Sequence, residues 1–250
     1  MRLPPRALSL ALFCLVGACA TPPAVDGTPK PPPTVQDRSV LIEKARLLHR
    51  EGNLDASVEL YSAAHAVDPS DLELLGEILN VLVPAERWVD AVAAYDRALT
   101  AHPRNPTLLM ARGRIQRTTG RPIGAYESYR RASELSPESV DAHMQLGLVL
   151  IELELWSESI AALAGAISGD PDNYQAHHLM GDALMRIGEY ERAIPVLARA
   201  QTLAPPGSVD DSSYRALAYL QLARPEDALA LIDRLLQTAP TNMELHYRRG

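Results

Sequence analysis

From residue 38 to residue 242 the chain alternates stretches of helically spaced apolar residues with short polar turns, and the turns are evenly spaced. Each turn carries a proline: Pro69, Pro103, Pro137, Pro171, Pro205 and Pro240, at intervals of 34, 34, 34, 34 and 35 residues. Proline has no backbone N–H to give, so each of these turns ("DPSD", "HPRN", "SPES", "DPDN", "APPG", "APTN") closes one helix and opens the link to the next. A glycine-containing turn marks the mid-period break between two helices in "EGN", "TGR" and "IGE". The pattern predicts an all-α chain of helix–turn–helix repeats.

Within the period, counted so that the proline is position 32, the residue sizes also line up. Position 27 holds Ala64, Ala98, Ala132, Ala166, Ala200 and Leu235. Position 20 holds Ser57, Ala91, Ala125, Ser159, Ala193 and Ala228, and position 8 holds Ala45, Leu79, Gly113, Gly147, Gly181 and Ala216. Small residues here let two antiparallel helices approach closely. Larger ones fill the remaining space, with Tyr61, Tyr95 and Tyr129 at position 24 and Trp88, Trp156 and Tyr190 at position 17. Pro122 and Pro225 fall at the start of a second helix, where proline is tolerated. Pro84 is expected to shorten a first helix, and Pro195 to kink or delay a second one. The extra residue near "PPGSV" is expected to alter the stacking of the last repeat.

This 34-residue pattern resembles the tetratricopeptide repeat (TPR). The resemblance implies a right-handed α-solenoid of six repeats, over 38–71, 72–105, 106–139, 140–173, 174–207 and 208–242, with a partial capping helix over 243–250. It also implies a binding scaffold in which each repeat touches only its neighbours.

In that family positions 2, 5, 9 and 12 of each first helix line a concave groove, and their spacing places them on one helical face. The groove candidates here are Arg46, His49, Asn80, Val83, Met110, Arg114, Arg117, Met144, Leu148, Ile151, His178, Asp182, Met185, Leu217 and Leu220. The expected groove is basic at its N-terminal end (Arg46, Arg50, Arg114, Arg117) and apolar and methionine-rich further on. An amphipathic partner helix suits the apolar part, and an acidic flank on that partner suits the arginines. The alternative is that the apolar residues only pack between repeats. The carboxylate clamp of chaperone-binding TPR domains needs a Lys and Asn set. Asn80 is present, but Ile42 and Gly76 stand where polar clamp residues are wanted.

Residues 1–37 have a different character. Arg2 and Arg6 precede an apolar run from Ala7 to Val16, ~15 Å long as a helix and about half of a bilayer core. Such a run suits a secretory signal better than a membrane span. It ends in Val16-Gly17-Ala18-Cys19, which resembles the bacterial lipobox. The resemblance implies cleavage after residue 18 and acylation, palmitate included, of Cys19. Ala20, in place of an aspartate, implies the outer membrane. Residues 19–37 then form a lipidated cysteine and a proline-rich tether.

Composition narrows the chemistry. Net charge is −7, which disfavours nucleic acid as a partner. The two cysteines, Cys14 and Cys19, both lie in the leader, so no thiol nucleophile, disulfide or sulfur-ligated metal is available beyond residue 19. No phosphate-cradling glycine loop, nucleophile elbow or His-Glu-x-x-His motif occurs. His143 and His177 occupy equivalent positions in successive repeats, and His178 and Asp182 lie one turn apart. Ring packing explains the two equivalent histidines better than metal binding does. The expectation is therefore a non-enzyme without a cofactor.

TPR arrays behind a lipoprotein leader look like the pilotin-type lipoproteins of type IV and Flp/Tad pili. Those proteins bind a secretin and promote its assembly in the outer membrane. That resemblance implies a lipid-anchored scaffold on the periplasmic face of the outer membrane. Adaptors for cell-wall hydrolases and scaffolds for polysaccharide export share the same architecture.

Overall fold

The computed structural model describes residues 35–205 and 210–238. Cys19 and the leader, most of the tether, the "PGSV" segment and the capping helix expected over 243–250 lie outside the described residues. The described part falls within one compact unit, Pro33–Gly250. It contains twelve helices and no strand. The first pair is α1 (Val35–Arg50) and α2 (Leu54–Val67), and the second is α3 (Leu72–Leu82) and α4 (Trp88–Ala101). Next come α5 (Pro106–Thr118) with α6 (Pro122–Leu135), and α7 (Val140–Glu152) with α8 (Trp156–Gly169). The last two pairs are α9 (Tyr174–Arg186) with α10 (Tyr190–Leu203), and α11 (Asp210–Gln221) with α12 (Pro225–Thr238). Packing runs from each helix to the next along the chain. No helix among the described residues is long and apolar enough to cross a membrane.

The two kinds of turn solve different problems. Between repeats, Asp71, Asn105, Ser139 and Asn173 cap the following helix, each accepting from a backbone N–H of its first turn. Such a cap contributes about 1 kcal/mol. Within repeats the chain passes through one residue in the left-handed region: Gly52, Glu86, Gly120, Glu154, Gly188 and Ala223. The next N–H then donates to a carbonyl five residues back, as Leu155 does to Leu150 and Glu189 to Leu184, closing a Schellman motif. The glycines were legible as breaks. Glu86 (φ 54°) and Glu154 (φ 58°) adopt the same conformation with a Cβ present.

Helix contact is tightest where side chains are smallest. Ala64, Ala98, Ala132, Ala166 and Ala200 are fully buried, as are Ser57, Ala91, Ala125, Ser159 and Ala193. Ser57 and Ser159 donate their hydroxyls to the carbonyls of Ala45 and Gly147 across the helix pair. A methyl group on Gly147 would stand 2.7 Å from Leu163, and one on Gly113 would stand 2.7 Å from the Tyr129 ring.

The proline expectations divide. Pro84 does accompany a short first helix, since α3 has 11 residues where α5, α7 and α9 have 13. Pro122 and Pro225 begin α6 and α12. Pro195, however, does not delay α10, which starts at Tyr190 and runs through to Leu203. Its missing N–H would have served the carbonyl of Glu191, and both residues face solvent, so water satisfies the freed acceptor. α1 also begins at Val35, inside the expected tether, with Asp37 favourably placed in its first turn.

Two outcomes follow. Replacing Glu154 with glycine relieves the left-handed backbone at no contact cost, and should raise stability by about 1 kcal/mol, read as a higher unfolding midpoint; an unchanged or lower midpoint would contradict it. His65 is fully buried with neither ring nitrogen hydrogen-bonded. Burial, and then the nearby Arg97, hold its pKa below the ordinary histidine value. A depressed histidine pKa means the unfolded chain takes up the proton first, so stability falls as pH drops below about 6.5. His65→Leu, matching Leu99 one repeat on, should flatten the fall in melting temperature between pH 7.5 and pH 5.

Candidate functional site

Two cavities open on the face carried by the odd-numbered helices. One, of about 330 Å³, lies between α1 and α3 and is lined by Arg46, His49, Arg50, Tyr61, Glu77 and Asn80. The other, of about 480 Å³, lies between α5 and α7 and is lined by Arg114, Arg117, Thr118, Tyr129, Gln145 and Glu152.

The first cavity is electrostatically closed. Arg46 holds Glu77 across the repeat boundary through Nη2 at 2.5 Å and Nε at 2.9 Å, and reaches Glu43 through Nη1 at 2.7 Å. The Tyr61 hydroxyl donates to the same Glu77 carboxylate at 3.3 Å. The Arg46 bonds keep the Glu77 carboxyl below its ordinary range, and burial raises the Tyr61 phenol. Arg50 donates to the Arg46 carbonyl and makes no ion pair among the described residues.

The second cavity is only partly closed. Arg117 binds Glu152 at 2.6 Å and approaches Gln145 at 3.4 Å. Arg114 is exposed and makes no ion pair among the described residues. The Tyr129 hydroxyl is buried without a hydrogen-bond partner.

The structure disposes of the predicted groove residues unevenly. Arg46, His49 and Asn80 come together in the first cavity, and Arg114 and Arg117 in the second. The basic N-terminal end is corrected in part: Arg46 and Arg117 are neutralised by acids of the next repeat, because packing places residues of successive repeats side by side, while Arg50 and Arg114 make no ion pair among the described residues. The methionine-rich surface is a second correction. Met110 and Met144 are buried, Met144 against Leu163, Ala166 and Ala176, with Ile151 packed on the same cluster. Met185 packs against the Leu184–Leu197 cluster. These side chains fill the seams between repeats. Leu148 is half-buried, and Val83, Leu217 and Leu220 are exposed at 40%, 38% and 49%.

His178 and Asp182 do not act together. His178 sits between the rings of Tyr174 and Tyr214 with Nδ1 2.7 Å from Asp211, and Asp182 pairs with Arg186. His143 and His177 each meet the carbonyl of the proline that ends the preceding repeat, Pro137 and Pro171. The described residues contain no group of three metal-ligating side chains.

Sequence reasoning missed the cavity roles of Tyr61, Tyr129, Glu77 and Gln145. The signal was present as tyrosine at position 24, which reads as a core residue until its hydroxyl is placed.

A family model for the tetratricopeptide repeat matches residues 79–140 and 144–208, and the chain belongs to that family. The TPR fold makes it a protein–protein interaction scaffold, of a kind that is typically non-enzymatic. The BBSome complex member BBS4 of Bos taurus is 27% identical over 66% of this chain, and the chain spans about a third of such relatives, 32% in this case. Among solved structures, MamA is similar with a TM-score of 0.62 at 22% identity, covering 70% of this chain and 95% of MamA. YrrB, a TPR protein with an unusual peptide-binding site, gives 0.52 at 23% identity over 74% of this chain and 90% of its own. PilF of Pseudomonas aeruginosa gives 0.52 at 18% identity over 84% and 95%. At these identities the structural likeness speaks for the fold.

Glu77→Gln tests the first cavity. It removes the negative charge and one of the two acceptor oxygens that Arg46 and Tyr61 share, and should cost about 1 kcal/mol, the partial exposure of the pair being allowed for. Because the Glu77 pKa is depressed, its contribution is present above the ordinary carboxylate range and vanishes as acid protonates it. Wild type and variant should therefore differ in midpoint at pH 7 and converge near pH 2. Parallel curves would rule the pair out as a source of stability.

Proposed function

We propose that this chain is a membrane-anchored TPR scaffold that takes a helix of an outer-membrane secretin and promotes its assembly, as a pilotin-like factor of a type IV or Flp/Tad pilus. The observation that carries the reading is the combination, in one chain, of a TPR array and an apolar leader ending in Val16-Gly17-Ala18-Cys19. Acyl chains on Cys19 supply location on the periplasmic face, since two or more chains give stable anchoring. The proline-rich tether gives the array reach, and the odd-helix face supplies the contact. Exposed Val83, Leu217 and Leu220 offer apolar anchors on that face. The fold-level likeness to PilF is compatible with this reading and adds no partner of its own.

Two measurements test it. Radiolabelled palmitate should enter the wild-type protein and be absent from Cys19→Ala, which should leave the outer-membrane fraction. Deleting the gene should abolish heat-resistant secretin multimers and surface pili, and the Leu217→Asp, Leu220→Asp double variant should fold yet fail to restore them. A deletion strain with normal secretin multimers and altered division or cell shape would transfer the chain to the hydrolase adaptors.

A further inference from the structure

One three-residue arrangement occurs twice in the array. Arg46 and Tyr61 stand at positions 9 and 24 of the first repeat, and Glu77 stands at position 6 of the second. Two repeats further on, the same positions hold Arg114, Tyr129 and Gln145. The arginine and the tyrosine are kept, and the carboxylate has become a neutral amide.

The consequences are visible in the second cavity. Gln145 turns its amide nitrogen to Asp141 at 3.3 Å and its oxygen to Arg117. The Tyr129 hydroxyl, fully buried, is left without the acceptor that Tyr61 has in Glu77. Arg114 is left without the carboxylate that Arg46 has, and a cavity of about 480 Å³ remains between them. Burial pushes the Tyr129 phenol up to about 12, so it stays protonated and has a proton to donate. An unsatisfied buried hydroxyl is costly, and few occur without a reason. Other repeat boundaries lack the set: the one between has Asn80, Tyr95 and Ala111, and the next has Leu148, Leu163 and Leu179.

We infer that the cavity between α5 and α7 is a carboxylate site, filled by the side chain of an aspartate or glutamate on the bound partner segment, in the place that Glu77 fills from within the chain at the first repeat boundary. Arg114 meets the charge and the Tyr129 hydroxyl donates to one oxygen, while Glu152 keeps Arg117 occupied. A side-chain carboxylate fits better than a chain terminus because the internal occupant, Glu77, reaches its arginine sideways from a helix. The inference rests on the odd-helix face being the partner face, as proposed above.

The test uses full-length protein in detergent with arginine side-chain ¹⁵N NMR. The probes are N-acetylglutamate α-N-methylamide, which carries only a side-chain carboxylate, and N-acetylalanine, which carries only a terminal one. The first should shift the Arg114 and Arg117 Nε–H signals saturably, and Tyr129→Phe and Arg114→Gln, the latter read on Arg117, should each weaken the binding about tenfold. Tyr129→Phe should nevertheless melt no lower than wild type, since the lost hydroxyl has no partner in the free protein. Gln145→Glu should melt higher and no longer bind the probe, having supplied the carboxylate internally. Absence of a saturable shift, undiminished binding by Tyr129→Phe, or binding of N-acetylalanine alone would overturn the assignment. The probes involve no secretin, so failure of the pilus experiments leaves this result standing, and the reverse also holds.

Discussion

The structure depends on how closely the two helices of a repeat can approach. At positions 8, 20 and 27 the side chain is, apart from Leu79 and Leu235, a hydrogen, a methyl or a serine hydroxyl, so backbone lies nearly against backbone. Where position 8 is glycine, the space is taken by a large residue at position 24: Tyr129 over Gly113, Leu163 over Gly147, Leu197 over Gly181. Interiors tolerate little change of volume, so a small residue on one helix requires a large one opposite. The same contact determines how far each position-24 side chain reaches. A leucine there ends inside the core. A tyrosine carries its hydroxyl through the core towards the odd-helix face, and the packing rule thereby places polar atoms at the cavities that open there.

Because each helix packs mainly on its neighbours in sequence, an array of this kind can change one boundary without disturbing the others. Cross-boundary ion pairs illustrate this independence. Arg46 with Glu77, Arg87 with Asp55 and Arg117 with Glu152 all join residues roughly one period apart, and none recurs at every boundary. The fold needs none of them in particular, so the odd-helix face can differ from boundary to boundary while the small-residue positions stay the same. Differences between equivalent positions are where this chain's individuality lies, and Glu77 against Gln145 is the clearest of them.

The fold was largely legible, because periodic constraints leave periodic residues. The proline interval, the alanines at position 27 and the glycine breaks each follow from geometry that every repeat must satisfy. What was not legible depended on neighbours a period away. Met110 and Met144 sit on the face that spacing assigns to a groove, yet the adjoining repeat covers them. Helical spacing fixes a direction from the helix axis and says nothing about what stands there. Arg46 reads as a free cation for the same reason, since its partner lies 31 residues on. Glu86 and Glu154 hid the left-handed turns, because the backbone closes the Schellman motif whether or not glycine is present.

Charge gives the last step. The chain is acidic overall, and Arg46 and Arg117, two of the four arginines on the odd-helix face, are paired with acids, so the positive field over that face is weak. Screening at physiological salt limits what remains to about 8 Å. An acidic partner is therefore not drawn in from a distance. In the proposed site it is held only once its carboxylate meets Arg114 and Tyr129, where partial desolvation strengthens both contacts. Recognition of that kind is short-range and selective for position along the array. It is consistent with the membrane-confined scaffold proposed above, in which confinement sets the encounter rate and the groove sets the specificity.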